Sequence, residues 1–596
     1  MPFVPNAGSF GRAWQRSRHS WTGRAGLATG IIVVGYIYDR QFQASAMTRT
    51  ARAFWDIAII SADYKINFRA ERGIEHLTSI HERAAKRLLA CCRENGGLFI
   101  KFGQSLAVQS ALLPPPFRHE LSTLYDNAPS APVSHIAPVI ERCFPGQTID
   151  DLFTEFSSEA VASASVAQVH TARLRTDPAQ VVAVKIQKPE IRKQIGWDLF
   201  ALRTCSRMIE FAFDIPIMWS VREIEQRLRE ELDFEREGNN SELAQRDLTN
   251  LGDRWMKRSV YIPKVFWDVT RKEVLTTEWI DGTSLVHPEQ LAQEGWSSKD
   301  VMQRMASLFA FQIFVTGNVH GDPHPGNILV RQNPLNSHTK EPQIVLLDHG
   351  LYVRESNTFR QQYAEFWRAA MLSDNKAMRR IASSWGMPDE TMFSTMVSLK
   401  PPQLGSMRAR RHTRNTNNTA GDRDSSSKGT HFDQQMEMKA RAVAALRDSL
   451  KLPPELVFVT RNMNIVRANN QSLGTPVNRV QILGHYAARG LRMMLLHEAT
   501  SPKRRYDHIH GVAPRRDTLL SRIAGVVSAE WSYATFCIAL WVAGAGMAVY
   551  GLYGRLRALV LGRPYSQNPE TVFDEAMRQA LENRLGYKID TSLFNA

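Results

Sequence analysis

His320-Gly-Asp-Pro-His-Pro-Gly-Asn327 and, further on, Ile344-Val-Leu-Leu-Asp348-His-Gly350 are the stretches on which the fold is read. In the first, two prolines and a glycine stiffen a loop that carries an Asp and an Asn five positions apart. In the second, a buried apolar strand ends on a carboxylate followed by His and Gly. The plainer alternatives are a Pro/Gly turn between helix and strand, a histidine pair binding metal, and a common strand-Asp-x-Gly turn. Taken together, the two stretches place one carboxylate to act on a hydroxyl and an amide and a second carboxylate to hold a hard cation.

Upstream, Val181-Val-Ala-Val-Lys185 ends a strand on a lysine, where a fixed cation can pair with nucleotide phosphates. Alone, this is indistinguishable from a surface lysine after an apolar strand. Lysine, then the Asp/Asn loop, then strand-Asp is the order of parts in a kinase-type phosphotransferase. In that reading Lys185 pairs with phosphates, Asp322 orients or deprotonates the attacking hydroxyl, and Asn327 and Asp348 bind Mg2+. Strand signals at Ser165 to Leu174, Val181 to Gln187, Tyr261 to Val269 and Lys272 to Trp279 come first. A charged helix from about Val221 to Asn240 lies among them, and mostly helices follow from Val301. The fold class expected is α+β with two lobes.

Ahead of the strands stand Lys101-Phe-Gly103-Gln104 and Leu121-Ser-Thr-Leu-Tyr-Asp126. With these the chain, over roughly Gly96 to Arg489, resembles the UbiB/aarF-domain (ADCK) atypical kinase-like family in its mitochondrial eukaryotic branch. Lys101, Gly103 and Gln104 look like the family's KxGQ signature, a segment that ordinary protein kinases lack. The resemblance implies a bilobal protein-kinase-like fold with a helical extension over 93–155, an N-lobe over 156–283 and a C-lobe over 284–500. It implies that Ala162-Ser163-Ala164-Ser165 is the Ala-rich loop replacing a glycine-rich phosphate loop. It implies that Glu231 pairs with Lys185, and that Glu237, in Glu231-Leu-Asp-Phe-Glu-Arg-Glu237, supports the site or contacts Lys101. The Glu278, Trp279 and Ile280 backbone would hydrogen-bond adenine. Spacing alone would make the acidic run a solvated helix face, and His170 reads as a structural strand residue.

The cofactors implied are ATP (or ADP) and Mg2+, with Lys185, Glu231 and Asp322 as the catalytic set. Gly321 stands where protein kinases carry the Arg of HRD, no APE motif appears, and His349 replaces the DFG Phe. Control by activation-loop phosphorylation is therefore not expected. The resemblance implies work in coenzyme Q biosynthesis or distribution, or in mitochondrial lipid homeostasis, as an ATPase or phosphotransferase. A non-catalytic, nucleotide-gated membrane scaffold or lipid-binding protein is the alternative. A phosphotransferase of choline-kinase or aminoglycoside-kinase type shares the His-x-Asp loop with Asn five residues on, but Lys101 to Gln104 argue against membership.

The ends of the chain bear on location. Arg12, Arg16, Arg18 and Arg24 precede any acid, the first being Asp39, which is the composition of a mitochondrial targeting segment over 1–24. Ala25 to Tyr38 is apolar but short for a span, and reads as a tilted anchor, an interfacial helix or a secretory h-region. Residues 39–92 read as a helical linker. Trp531 to Tyr553 carries no charge and is long enough to span, with a buried helical hairpin as its alternative. An Arg-rich N-terminus on the matrix side would put the kinase-like domain in the intermembrane space, at the inner membrane.

A net charge of +15 suits anionic lipid or phosphorylated ligands. No Arg-Gly repeat, zinc-finger spacing or RNA-binding signature supports a nucleic-acid partner. Quinone or lipid precursors are the other candidate partners. Five cysteines without a C-x-x-C pair indicate no disulfide framework. The segment 401–435 is low-complexity and expected to be disordered, and 554–596 is a tail.

Overall fold

The computed structural model describes residues 21–386, 453–500 and 519–560, apart from 43, 69–72, 109–113, 126–129, 215–216, 337 and 373. The targeting segment up to residue 20, Asp126, the insert at 401–435 and the tail beyond 560 lie outside the described residues. The chain forms two compact units that meet in sequence at Leu232/Asp233, whereas the expected lobe boundary was 283/284.

The first unit opens with α1 (Trp21–Phe42), α2 (Ala46–Asn67), α3 (Gly73–Asn95), α4 (Gly97–Val108) and α5 (Pro115–Ser122). The helical linker expected over 39–92 thus takes in the end of α1, all of α2 and most of α3. Asp39 joins α1 to α2: its carboxylate accepts from Met47 N at 2.9 Å and Thr48 N at 2.8 Å. Those are orphan donors of the first turn of α2, which a carboxylate satisfies and the helix dipole favours. Helix α6 (Val133–Cys143) leads into β1 (Phe153–Phe156), β2 (Ala162–Ser163), β3 (Ala167–Leu174) and β4 (Val181–Gln187). Strand β3 pairs antiparallel with β1, β2 and β4. In β4, Val182, Val184 and Ile186 are fully buried. The period of two therefore sends Val181, Ala183 and Lys185 to the opposite face.

Helices α7 (Pro189–Phe213) and α8 (Met218–Glu231) close the unit. Helix α7 had no counterpart among the sequence expectations. It is tied to α2 by a buried ion pair, Arg49 Nη2 to Asp198 Oδ2 at 2.7 Å. Ala53, Ile57, Cys91, Phe99, Ala201 and Cys205 form a core cluster between these helices. All five cysteines are free thiols.

The second unit begins with α9 (Phe234–Leu251). The single helix expected from Val221 to Asn240 is broken because Asp233 adopts extended backbone and caps α9, its Oδ1 accepting from Arg236 N at 3.2 Å. A four-stranded sheet follows, in the order β5 (Val260–Tyr261), β10 (Pro342–Leu346), β9 (Ile328–Gln332), β7 (Thr283–Ser284). The strand expected from Tyr261 to Val269 is only β5, and the chain then turns into a 3-10 helix at Trp267–Val269. Strand β6 is Val274–Glu278. A second, two-stranded ladder pairs β8 (Asn318–His320) with β11 (Tyr352–Arg354).

Helix α10 (Ser298–Phe311) is buried on nearly every side, as its apolar sequence from Val301 demands. It runs into a five-residue π-helical turn, Gln312–Thr316, that stops at Gly317 with φ +73°. Against α10 pack α13 (Pro454–Ser472) and α14 (Arg479–Thr500), and α11 (Asn357–Met371), α12 (Asn375–Ser384) and α15 (Leu519–Val560) join the same hydrophobic core. Helix α15 starts well before the expected Trp531. Its stretch Leu519–Gly546 is long and apolar enough to cross a membrane by length and composition.

Candidate active site

In the second unit the two decisive loops are bound into one network. The β8–β11 ladder aligns His320 with Tyr352, so the Asp322 loop and the Asp348 loop leave adjacent strands. His320 accepts from Asp322 N through Nδ1 at 3.0 Å. Its other nitrogen, Nε2, lies 2.7 Å from the Asp348 carbonyl. A backbone N–H can only donate and a carbonyl can only accept, so the ring is the Nε2–H tautomer. Complete burial lowers the His320 pKa, against the pull of the Asp348 carbonyl and the Asp348 and Asp322 carboxylates, and keeps the ring neutral. The π-helical turn contributes Gln312 Oε1, which accepts from His320 N at 3.1 Å.

Asn327 Nδ2 donates to Asp322 O at 3.3 Å, and its own carbonyl accepts from Leu347 N at 2.9 Å. Asp322, Asn327 and Asp348 are therefore linked through two or fewer intermediate groups, and all three side chains are half-buried. Asp348 Oδ1 accepts from Gly350 N at 2.8 Å. A Cβ at Gly350 would stand 3.2 Å from that oxygen and 3.8 Å from Glu237 Oε2, so two carboxylates flank this backbone and an added methyl would press on the Asp348 carboxylate. Glu237 is buried, and Asn240, one turn on, holds the loop by donating to His349 O at 3.0 Å. His349, in the DFG-Phe position, stacks on Tyr352 with ring centroids 5.7 Å apart and planes 9° apart.

Sequence reasoning missed the helix that braces this loop from behind. On α13, Asn462 Nδ2 donates to His320 O at 2.7 Å and Asn469 Nδ2 to Pro323 O at 3.1 Å. Arg461 Nη2 stands 3.7 Å from Asp322 Oδ1. The signal was present as Arg461, Asn462, Asn464, Asn469 and Asn470 among the apolar positions of the helix, of which Asn462 and Asn470 are fully buried. Buried amides need partners, and for Asn462 and Asn469 the partner is a loop over a hundred residues earlier in the chain.

In the first unit, Lys185 lies on β4 opposite Val169 of β3 and is half-buried. Ala162 and Ser163 form β2, and Ala164 N closes the following turn on Ala167 O at 2.8 Å. Ser165 Oγ is buried and makes no hydrogen bond. The expected pairing of Glu231 with Lys185 is not the one found. Glu231 Oε1 forms its ion pair with Lys101 Nζ. The reason is reach: Glu231 ends α8, which packs against α4, where Lys101 sits. The rest of the KxGQ segment is structural in its contacts. Gln104 Nε2 donates to Leu124 O at 2.9 Å, and a Cβ on Gly103 would overlap Leu124 Cδ1 and stand 3.1 Å from Cys92 Sγ.

Of the expected adenine-binding positions, the Glu278 N–H is already donated to Lys264 O at 2.9 Å, so it is not a nucleobase donor. The Glu278 carboxylate accepts from the Tyr261 hydroxyl. Trp279 Nε1 donates to Asp281 Oδ1 at 2.8 Å, and Ile280 is buried.

Comparison with known proteins fits this arrangement. The family model described as "ABC1 atypical kinase-like domain" matches residues 123–382. An ABC1 family protein of Schizosaccharomyces pombe is 35% identical over 477 residues, 80% of this chain and 84% of that one. The chain belongs to the ABC1, or AarF-domain, atypical kinase-like family. An ABC1 family protein of Purpureocillium lilacinum is 34% identical over 82% of this chain and 84% of its own length. AarF domain-containing protein kinase 1 of Xenopus tropicalis is 30% identical over 72% and 79%. The solved structure of Rv3197 from Mycobacterium tuberculosis with erythromycin is 21% identical, with a TM-score of 0.36 over 68% of this chain and 99% of that one, too loose a likeness to carry an argument. The ABC1 domain matched contains Lys185, Glu231, Glu237, Glu278, Asp322, Asn327 and Asp348; Lys101 to Gln104 precede it and α13 follows it.

Proposed function

We propose that this protein is an ATP- and Mg2+-dependent enzyme, a phosphotransferase or ATPase, acting on a small molecule or a lipid-associated target at the mitochondrial inner membrane. The observation that carries the reading is the single hydrogen-bonded network that holds Asp322, Asn327 and Asp348. Among the described residues no cluster of three His, Cys, Asp or Glu could hold a metal. Mg2+ does not require one: it is commonly held by one or two carboxylates, waters and the phosphates it serves. Asp348 and Asn327 fit that use, beside the buried Glu237 carboxylate. Bound Mg2+ would neutralise phosphate charge as it develops.

Asp322 holds the attacking hydroxyl or water and takes up its proton. Its backbone is fixed by the neutral His320, and its carboxylate is oriented by Arg461. Lys185 supplies a cation for phosphate oxygens, and the Ser165 hydroxyl is a donor with no protein partner to lose. The Arg-rich N-terminus supports mitochondrial import and a domain in the intermembrane space. The family relationship supports a role in coenzyme Q or lipid homeostasis, with quinone or lipid precursors as candidate ligands.

A second reading is favoured by the Lys101–Glu231 ion pair. Glu231 is held by the KxGQ lysine and not by Lys185, which suits a nucleotide-gated scaffold that binds ATP without transferring phosphate. Nucleotide turnover by the full chain on liposomes containing anionic lipid separates the two. Mg2+-dependent turnover that Asp322→Asn abolishes supports the enzyme. No turnover, or turnover unchanged by Asp322→Asn, supports the scaffold.

A further inference from the structure

Helix α15 carries two apolar stripes on opposite sides. One faces its own unit. Ala529 and Phe536 are buried (1% and 0% exposed), as is Leu540. A Cβ on Gly525 would meet Ala499 Cβ at 2.9 Å, and one on Gly544 would meet Gln481 Nε2 at 3.2 Å. Leu540 fills the space over Gly484 of α14. Ser532 Oγ accepts from Arg368 Nη1 at 2.8 Å. At 100° per residue these positions, from Gly525 to Gly544, form one stripe.

Two residues after docked positions come Val527, Trp531, Ile538 and Val542, which is about 200° round the helix. All four are exposed, Trp531 to 72%. Leu519, Leu520, Ile523, Trp541, Val549, Leu552 and Tyr553 extend the same exposed side. A soluble protein rarely leaves so large an apolar stripe open to water.

We infer that α15 lies in the plane of an anionic bilayer surface, holding the second unit to the membrane by its outer stripe instead of crossing. The inference rests on the membrane part of the function proposed above and changes how the contact is made. Three observations carry it. First, the docked stripe from Gly525 to Gly544 is about 28 Å long at 1.5 Å per residue, close to the bilayer's hydrocarbon thickness. A helix crossing there would drag the α14 surface, with Arg492 and Gln481, into lipid.

Second, the exposed stripe from Leu519 to Tyr553 runs about 51 Å, longer than a crossing requires. Its Trp531, Trp541 and Tyr553 are the residue types that settle at the headgroup level. Third, the charge matches. The only acid between Leu519 and Val560 is Glu530, and Arg492 engages both its oxygens, Nε at 3.0 and 2.9 Å and Nη2 on Oε1. The basic residues of the segment are Arg522, Arg555 and Arg557, in a chain of net charge +15, so its sequence carries no acid that Arg492 does not engage. The outer face therefore meets an anionic surface without repulsion.

The test uses the full chain and vesicles of phosphatidylcholine with or without phosphatidylserine. Nitroxide labels are placed at Val527→Cys and, separately, Val542→Cys, in a Cys143→Ser/Cys537→Ser background. Sedimentation with the anionic vesicles and the same shallow depth at both labels is expected. Trp531→Asp/Trp541→Asp should weaken vesicle binding by about tenfold or more, the equivalent of about 1.4 kcal/mol, with nucleotide affinity and thermal unfolding unchanged. Sedimentation with labels about 22 Å apart in depth, 15 residues at 1.5 Å, would overturn the in-plane arrangement and leave membrane attachment standing. Absence of sedimentation would overturn both. Self-association that disappears in the Trp variants would assign the stripe to a second copy of this chain.

Discussion

Gly103 of the KxGQ segment is the position at which a structural and a ligand-binding role separate most cleanly, and Gly103→Ala is the variant to make. In α4 the added methyl would gain about 1 kcal/mol of helix propensity. It would also overlap Leu124 Cδ1 and press on Cys92 at 3.1 Å (Sγ) and 3.6 Å (Cβ). Leu124 and Cys92 are themselves buried in the cluster with Leu89, Ala107, Phe117 and Leu121, so neither can swing into solvent. Overpacking of this kind costs about 1–3 kcal/mol, and the net effect is a destabilisation of about 0–2 kcal/mol.

Leu124→Ala alone should cost about 2–5 kcal/mol through the cavity it leaves. In the double variant the Gly103→Ala methyl points into that cavity. The pair should then be less destabilised than the sum of the singles by about 1–3 kcal/mol, as coupled neighbours are. Urea unfolding followed by circular dichroism gives the three differences, and nucleotide affinity is measured on the same samples. Strict additivity would refute the packing argument. So would a Gly103→Ala protein of unchanged stability that has lost nucleotide, since the glycine would then be kept for close approach of a ligand.

Two further outcomes are expected. Above pH 7, where the Asp198 carboxylate is ionised, Asp198→Ala leaves the buried Arg49 cation without its counter-charge and should cost about 3–5 kcal/mol in urea unfolding, with Arg49→Met/Asp198→Leu recovering most of it. Burial pushes the Asp198 carboxyl up to about 7 from 3.8, against the opposing pull of Arg49. The folded state therefore holds that proton over this window and stability falls as pH rises through it; the same slope in the double variant would exclude Asp198 as its source. Arg461→Ala should leave stability within about 0.5 kcal/mol, because its pair with Asp322 is partly exposed. It should lower turnover by about tenfold and add nothing to Asp322→Asn; equal turnover with and without the arginine would remove it from the site.

Much of the site could be read from short segments. The spacing of Asp322 and Asn327, and Asp348 at the end of an apolar strand, are local: a rigid loop and a strand end deliver their side chains whatever surrounds them. The same holds for β4, whose alternation sets Lys185 apart from Val182, Val184 and Ile186. The break between α8 and α9 was equally local, a capping aspartate at Asp233 inside a run that reads as continuous helix because its charge pattern does not change.

What the sequence by itself determined was therefore the kinase-like order of parts and the identity of the chemical groups, since these depend on neighbours a few residues away. Tertiary structure alone decided which groups meet. Glu231 pairs with Lys101 because α8 lies on α4, and α13 returns after a long insert to set Arg461, Asn462 and Asn469 against the loop at Asp322. It also decided that α15, largely apolar in sequence, has one side already occupied. Burial and ion pairing are properties of surfaces brought together by folding, and a linear pattern does not record which surface its partner will be.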